Sequence, residues 1–575
     1  DSSTSRGLGD VYKRQVWQHV RATNVLIGSP GAIPLVGTDV PVSRLLAAEV
    51  AAGSFAGTLC LLDTIAAHVA QVRAAQWADA PARAAVKAGV AARAVAWVAS
   101  AVWVEFDTWV YVRPAERVAL ARRCLDLFAA VVEDPCMVRD DAAVAPLVAA
   151  VDGVFGGGAT PLTVAPLLGL LARGEALFHE LYRAGHVAAA REAEALVLTA
   201  LRVATTLVER GTAAARLLLG AGAGGAAPAR GPLARAVLRY VAAPVPAALA
   251  SAAAQLVTAL SGAHDAATGP LRLAGLLGST ADVEDAARAW LGVLTNTAAD
   301  RALRAAVWTM LAALVETQPA LATLLLTGGH LAHDDAALAD TALQVAVDAL
   351  HGADALWDAD PALLDALLRF LGAAWAHVLE HPRVFARVRG VAHALVRMVT
   401  RSVDAVGGAS NALRVLCQAR ALRVLELDVR AARGAAPESV TALLALARGA
   451  EWAPTLHAAA SACGADAAGA EARLAAQLPP ALLTRARHAP RRDAYDRRRV
   501  FGAAYVYALD ALSARCGDVP PAAAAAGHAW SAVDAHAARA QAWAECLGFA
   551  AAHMLAAAEQ QLSLIHISEP TRRRG

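Results

Sequence analysis

The chain of 575 residues carries 52 basic and 50 acidic side chains, and 57% of its residues are hydrophobic although only 5% are aromatic. Its length excludes a single small core. Its balanced charge gives no strong case for binding to nucleic acid or to an anionic membrane, and it disfavours an acidic receptor for basic cargo. Alanine supplies much of the hydrophobic content. Because alanine is the strongest helix former, the composition predicts an all-α protein.

The two ends of the sequence differ from the rest. The segments VYKRQ at 11–15 and LSLIHISEPTRRR at 562–574 resemble translated sequencing adapters. We therefore expect 1–15 and 562–575 to be adapter-derived artefacts, and 16–561 to be an internal fragment of a longer protein.

The mean hydropathy of +0.43 is high enough to require a test for membrane spans. The longest uncharged stretches, 153–172 and 240–263, contain glycine and proline and are rich in alanine, serine and threonine. A spanning helix needs about 20 strongly apolar residues. We therefore expect no transmembrane segment.

Helical periodicity recurs along the chain. Predicted helices cover 117–132, 191–209, 283–294 after a cap at 279–282, 301–315, 335–350 and 389–403. The clearest helix follows Asp360, which suits an N-cap, and Pro361, which suits the first helical position; Pro382 lies just beyond its predicted end. Its apolar stripe comprises Leu363, Leu364, Leu367, Leu368, Leu371, Trp375, Val378 and Leu379.

Many of these helices have two wide apolar faces, so each must pack on neighbours on two sides, as in a stacked helical array. The predicted loops lie at irregular intervals, near 156–160, 220–232, 405–411, 433–437, 463–470 and 517–527. The sequence therefore predicts one continuous, irregular HEAT/armadillo-like α-helical solenoid over 16–561. A set of compact helical bundles is the alternative.

Three segments match patterns that can carry chemistry. The segment GAGAGG at 220–225 fits the dinucleotide-binding pattern, but it follows a predicted helix instead of a strand, which favours a flexible loop. His377, Glu380 and His381 match the inverted zinc-protease motif. His381 abuts Pro382 and no third ligand is evident, so a helix C-terminus with solvated histidines is favoured over zinc. The third segment is a Gly-Gly loop that favours a polar cap over a metal site; it holds His330, His333, Asp334 and Asp335.

The seven cysteines are far apart and form no CxxC pair, which favours buried thiols in a reducing compartment over disulfides or zinc. They are Cys60, Cys124, Cys136, Cys417, Cys463, Cys516 and Cys546. No residue is therefore nominated as catalytic, cofactor-binding or metal-ligating. We expect no cofactor and no enzymatic activity.

Two aromatic groups could instead mark partner surfaces. One is a basic patch around Tyr495, for which a solvated helix start or an acidic protein contact is favoured over nucleic acid; it comprises Arg491, Arg492, Arg497, Arg498 and Arg499, with Tyr505 and Tyr507 beyond. The other is a cluster for which core packing is favoured over a partner-binding groove; it comprises Trp97, Trp103, Trp109 and Tyr111.

The segment 311–326 joins one apolar helix to a second through a polar corner, VETQP, at 315–319. This corner resembles a segment of the large inner-ring scaffold nucleoporins, specifically the nucleoporin 188 type of the 188/205 family. Flanking pieces in the same order also resemble that family: 106–111, 270–285 and 361–375. The resemblance is best over about 97–390, weaker over 16–96 and poor beyond 390.

The resemblance implies a structural scaffold subunit of the nuclear pore complex inner ring, located at the nuclear envelope of the nucleus and without catalytic residues. It implies contacts with the linker nucleoporin of the 93 type, made mainly by a C-terminal tail that this fragment is expected to lack, and with FG-repeat nucleoporins. No partner-binding residue carries over by position. The alternatives are a HEAT-repeat nuclear transport receptor and an armadillo-like scaffold of a cytosolic complex.

Overall fold

The structure, a computed structural model, confirms the predicted all-α fold of the HEAT/armadillo-like solenoid class. It describes residues 41–78, 81–133, 144–156, 158–209, 237–241, 245–265, 269–270, 280–328, 341–385, 391–401 and 409–431, with short pieces at 273, 388, 403, 439, 441–442, 539, 542–546, 548 and 552. The chain divides into two compact units, Asp1–Gly278 and Ser279–Gly575, and each is described by itself. That 16–561 forms one continuous array stays a prediction.

Eight named helices form the described part of the first unit. They are α1 (Pro41–Ala52), α2 (Ala56–Ala78), α3 (Pro81–Trp97), α4 (Pro114–Val132), α5 (Ala145–Phe155), α6 (Pro161–Arg183), α7 (Val187–Glu209) and α8 (Ala247–Ser261). A single antiparallel pair of two-residue strands, β1 (His264–Asp265) and β2 (Gly269–Pro270), follows α8.

Helix α7 lies at the centre of this unit, where it packs against α4, α6 and α8. Alanine, leucine and valine fill its buried face, which lets neighbouring helices approach closely. At Gly174 in α6 the neighbouring side chains leave no room for a Cβ. A Cβ there would lie 2.4 Å from Cγ2 of Val197 and 3.0 Å from the hydroxyl of Tyr240. Glycine is therefore the residue that this helix contact requires.

The link between α3 and α4 is an irregular corner. A π-helical turn at Val98–Trp103 continues α3, a 3₁₀ turn follows at Phe106–Thr108, and an extended stretch then runs to α4. Val112 in that stretch donates its N–H to the carbonyl of Gly53 over 2.9 Å. Gly53 has φ of +69°, and a Cβ there would lie 3.2 Å from the Val110 carbonyl oxygen, so this turn favours glycine on both counts.

Nine named helices form the described part of the second unit. They are α9 (Thr280–Thr295), α10 (Arg301–Thr317), α11 (Pro319–Thr327), α12 (Ala342–His351), α13 (Ala353–Ala359), α14 (Pro361–Trp375), α15 (Pro382–Phe385), α16 (Val391–Thr400) and α17 (Ala409–Ala431).

Helix α14 is the centre of the second unit. It packs against α10 and α17, its two most extensive neighbours, and every residue from Leu363 to Trp375 is buried. Asp360 caps it as predicted, since its carboxylate accepts the N–H of Leu363 over 3.1 Å, and Pro361 occupies the first helical position. A helix that packs between neighbours on two sides is expected to have no exposed face, and α14 meets this expectation.

The prediction for the end of α14 is wrong. The sequence extended its apolar stripe to Val378 and Leu379, but the helix ends at Trp375 and residues 376–380 form turns. Leu379 is exposed as a result. The predicted C-terminal position of His381 is also wrong: its carbonyl accepts the N–H groups of Val384 and Phe385, so it begins the short α15.

Two described helical segments, Ala85–Thr108 and Pro161–Arg183, are long and apolar enough to cross a membrane by length and composition alone. The core helix of a soluble protein passes the same test. The sequence-based expectation of no transmembrane segment therefore stays a prediction.

Candidate functional site

The polar corner between α10 and α11 is formed as the sequence predicts. Gln318 alone links the two helices, with φ of −124° and ψ of 85°, and its N–H donates to the Leu314 carbonyl over 2.9 Å. Pro319 begins α11, and a residue before proline is disfavoured in the helical conformation, which explains why α10 stops at Thr317. Val315 and Gln318 are buried while Glu316 and Pro319 are exposed, so the corner lies at the edge of the unit's interior.

His377, on the turn after α14, contacts this corner. Its Nε2 lies 3.1 Å from the Val315 carbonyl oxygen, and its Nδ1 lies 2.9 Å from a carboxylate oxygen of Glu380. The side chain is 19% exposed, so the expectation of a solvated histidine is wrong for His377. The expectation failed because Val315 lies 62 residues away along the chain and its contact leaves no local sequence signal.

A zinc site at His377 does not fit this arrangement. Both ring nitrogens lie within hydrogen-bond distance of protein oxygens, so neither nitrogen is directed at an open position where a metal could bind. Within the described residues, no group of three or more His, Cys, Asp or Glu side chains could hold a metal ion. The loop with His330, His333, Asp334 and Asp335 lies outside the described residues.

A layer of charged side chains crosses α14 beside the corner. Glu316 of the corner lies 3.9 Å from Arg369, which is almost fully buried. One turn earlier, Asp365 accepts from Nε of Arg420 on α17 over 2.5 Å, and both side chains are only 5% exposed. Two charges removed from water are tolerated only when they pair closely, so this contact fixes how α17 lies against α14.

Apart from Glu316, which lies in the polar corner, no member of this layer was predicted from the sequence. Asp365 and Arg369 are four residues apart, a spacing typical of a solvated pair along one helix face. In the structure each finds an oppositely charged partner on another helix instead. The useful signal was that both residues interrupt a helix that is otherwise almost entirely apolar.

Polar side chains of α17 extend the layer to the next helix. Gln418 places its Nε2 near the carbonyls of Met398, Val399 and Arg401, at 3.3, 3.1 and 2.8 Å, and thereby caps the C-terminal end of α16. Its Oε1 accepts from Arg539 over 2.6 Å. Arg539, late in the chain, is thus hydrogen-bonded to the same side-chain amide of Gln418 that caps the C-terminal end of α16.

The end of α14 is fixed to α17 in the same way. Trp375 donates its indole N–H to Asp428 over 3.2 Å, and Ser439 donates to the second oxygen of that carboxylate over 2.6 Å. Glu426, also buried on α17, pairs with Arg423 and with Arg430. These contacts specify the register of neighbouring helices.

The aromatic cluster of the first unit is a packing cluster. Trp97 and Trp103 are buried, and Trp109 stacks on Phe55 with ring centroids 5.1 Å apart and planes 8° apart. Tyr111 lies against Phe55 at 4.9 Å and donates its hydroxyl to the Phe106 carbonyl. Phe55 lies more than 40 positions before these residues in the chain. Its place in the cluster was not predicted from the sequence, because contacts between distant positions leave no local pattern.

The buried cysteines lack the environment of a reactive thiol. Burial raises the pKa of the thiols of Cys124 and Cys417, and raises that of Cys546 to about 12, so all three are protonated at neutral pH. Cys60 is exposed, so the expectation of buried thiols is wrong at this position.

The remaining candidates lie outside the described residues: the glycine-rich segment 220–225 and the arginine-rich patch around Tyr495. Both stay predictions.

No protein-family model matches the chain, and no curated protein matches it. Nine chains among solved structures match. One is the crystal structure of SYS-1, which is 10% identical, covers 78% of this chain and 81% of its own, and has a TM-score of 0.27. At that TM-score the likeness carries no argument about function, and the fold class rests on the helices described above.

Proposed function

We propose that this chain is a structural scaffold subunit of the inner ring of the nuclear pore complex. The observation that carries the proposal is the VETQP corner at 315–319 together with its flanking pieces, which occur in the order found in the nucleoporin 188 type. Arg301–Thr317, Gln318 and Pro319–Thr327 form the helix, corner and helix that this resemblance implies.

The contacts inside the second unit support a structural role. The contacts of the corner and of α14 serve to hold helices in register, as at Asp365–Arg420 and Trp375–Asp428. A stacked helical protein presents long surfaces for its mass and bends between its repeats, both of which suit the assembly of a ring. On this proposal the chain contributes binding surfaces and no chemistry.

The proposal carries expected partners and a location. The partners are the linker nucleoporin of the 93 type and FG-repeat nucleoporins, and the location is the nuclear envelope at the pore. No residue of this chain is assigned to either contact.

Affinity capture of the intact gene product from its own cells tests the proposal. Recovery of inner-ring nucleoporins, retained after a wash at about 0.3 M salt that screens weak surface charge pairs, is the expected result. Recovery of a small GTPase with basic cargo would instead indicate a transport receptor. Recovery of a cytosolic complex without nucleoporins would indicate the other alternative, and either result would overturn the proposal.

A further inference from the structure

The VETQP corner contains a carbonyl that its own helix cannot satisfy. In an α-helix, the carbonyl of residue i accepts the N–H of residue i+4. For Val315 that residue is Pro319, which has no N–H. The carbonyl lies next to a corner whose Gln318 is buried, where an unsatisfied acceptor is costly. His377 supplies the missing donor from Nε2 over 3.1 Å.

The same imidazole makes a second bond on its other side. Nδ1 of His377 lies 2.9 Å from the carboxylate of Glu380. The hydrogen bond from His377 is the largest influence on the Glu380 carboxyl and lowers its pKa, so Glu380 is a carboxylate near neutral pH. The two partners are therefore both acceptors, and an imidazole that donates to both carries two N–H groups and a positive charge.

We propose that His377 is a protonation-dependent latch that holds the α10–α11 corner against the end of α14. The charged imidazolium donates to the Val315 carbonyl and to Glu380 at once. Neutral imidazole has a single N–H, and a carboxylate is a stronger acceptor than a carbonyl. Loss of the proton therefore leaves Nδ1–H on Glu380 and removes the donor from the Val315 carbonyl, which loosens the corner.

The charges around the latch come from four helices and one turn. Glu316 lies next to Val315 on α10 and pairs with Arg369 of α14, while His381, which begins α15, acts on the carboxyl of Glu380. On α17, Asp428 bonds the ring of Trp375.

The test is hydrogen exchange of the amides in 311–328 of the full chain at about pH 5.5 and about pH 8, each corrected for the intrinsic exchange rate. In the wild type, we expect protection of the corner to fall by roughly fivefold to tenfold at the higher pH, the effect of about one hydrogen bond. In His377→Gln, the side-chain amide donates to the carbonyl at every pH, so protection is expected to be independent of pH.

Glu380→Ala gives a second arm that does not depend on replacing the histidine. Glu380 is exposed, so the variant retains its interior, and the single N–H of the neutral imidazole is no longer drawn to Nδ1. We expect its corner protection to lose its pH dependence. His381→Gln, at the position after Glu380, is the matched control and should keep the wild-type fall. A wild-type profile that is flat, or a fall that persists unchanged in both His377→Gln and Glu380→Ala, overturns the latch.

Discussion

At the residue scale, the second unit contains a buried ion pair between Asp365 and Arg420. Both side chains lie between α14 and α17 with 5% of their surface exposed. The stabilising effect of such a pair depends on both members being present, because an isolated buried charge has neither water nor a partner. The contact therefore specifies one alignment of the two helices more than it adds to their stability.

Replacing one member should accordingly be worse than replacing both. We expect Asp365→Asn to lower the opening free energy of α14 by about 3 kcal/mol or more, because it leaves Arg420 buried beside a neutral group. The double variant Asp365→Leu with Arg420→Met should recover most of that loss. Hydrogen exchange of the α14 and α17 amides measures the opening free energy of this unit directly.

An exposed pair provides the control for that comparison. Arg288 and Asp285 on α9 are both 72% exposed, so Arg288→Met should change stability by less than about 1 kcal/mol. If Asp365→Asn were as mild as Arg288→Met, the buried pair would not hold the two helices in register.

At the element scale, the close approach of α6 and α7 depends on the absence of a side chain at Gly174. A methyl group there would lie 2.4 Å from Cγ2 of Val197, so one of the two helices must shift. We expect Gly174→Ala to destabilise the first unit by about 1–3 kcal/mol, as overpacked cores do. Urea unfolding followed by circular dichroism measures the change.

Gly89 on α3 is the matched control for Gly174. A Cβ there meets nothing within 4 Å, so alanine at that position should add about 0.5–1 kcal/mol through its higher helix propensity. The two glycine-to-alanine changes should thus have opposite signs. Equal effects would mean that α6 and α7 are not held at the distance that the structure gives.

Local signals in the sequence explain which elements were predictable. Asp360 with Pro361, and Gln318 with Pro319, predict a helix start and a corner because capping and proline act over a few residues. The end of α14 was missed because an apolar stripe continues beyond Trp375 into turns that only distant contacts explain. One such contact is the bond between His377 and Val315, which no short-range pattern encodes.

Buried polar partners were the other part that sequence could not predict. Arg420 and Gln418 occur in α17, a helix with an ordinary share of polar residues. Because polar and charged side chains are usually exposed, the sequence alone predicts that both lie at the surface. Only the spatial neighbours on α14 and α16 make their burial understandable. A composition this rich in alanine predicts that helices form and pack, while the polar residues determine which faces meet.

At the scale of the whole molecule, each unit is built from helices that bury more than one face against their neighbours, as α7 and α14 do. This construction relies on contacts between neighbouring helices, as in repeat proteins. The proposed place in the inner ring of the nuclear pore uses that property, because ring assembly needs long binding surfaces and elastic connections between them.

Localisation of the endogenously tagged protein in its own cells tests the scaffold proposal most directly. We expect a punctate signal at the nuclear rim that coincides with pores and persists after detergent extraction, which removes soluble transport factors. A diffuse cytosolic signal, or a nucleoplasmic signal lost on extraction, would contradict it.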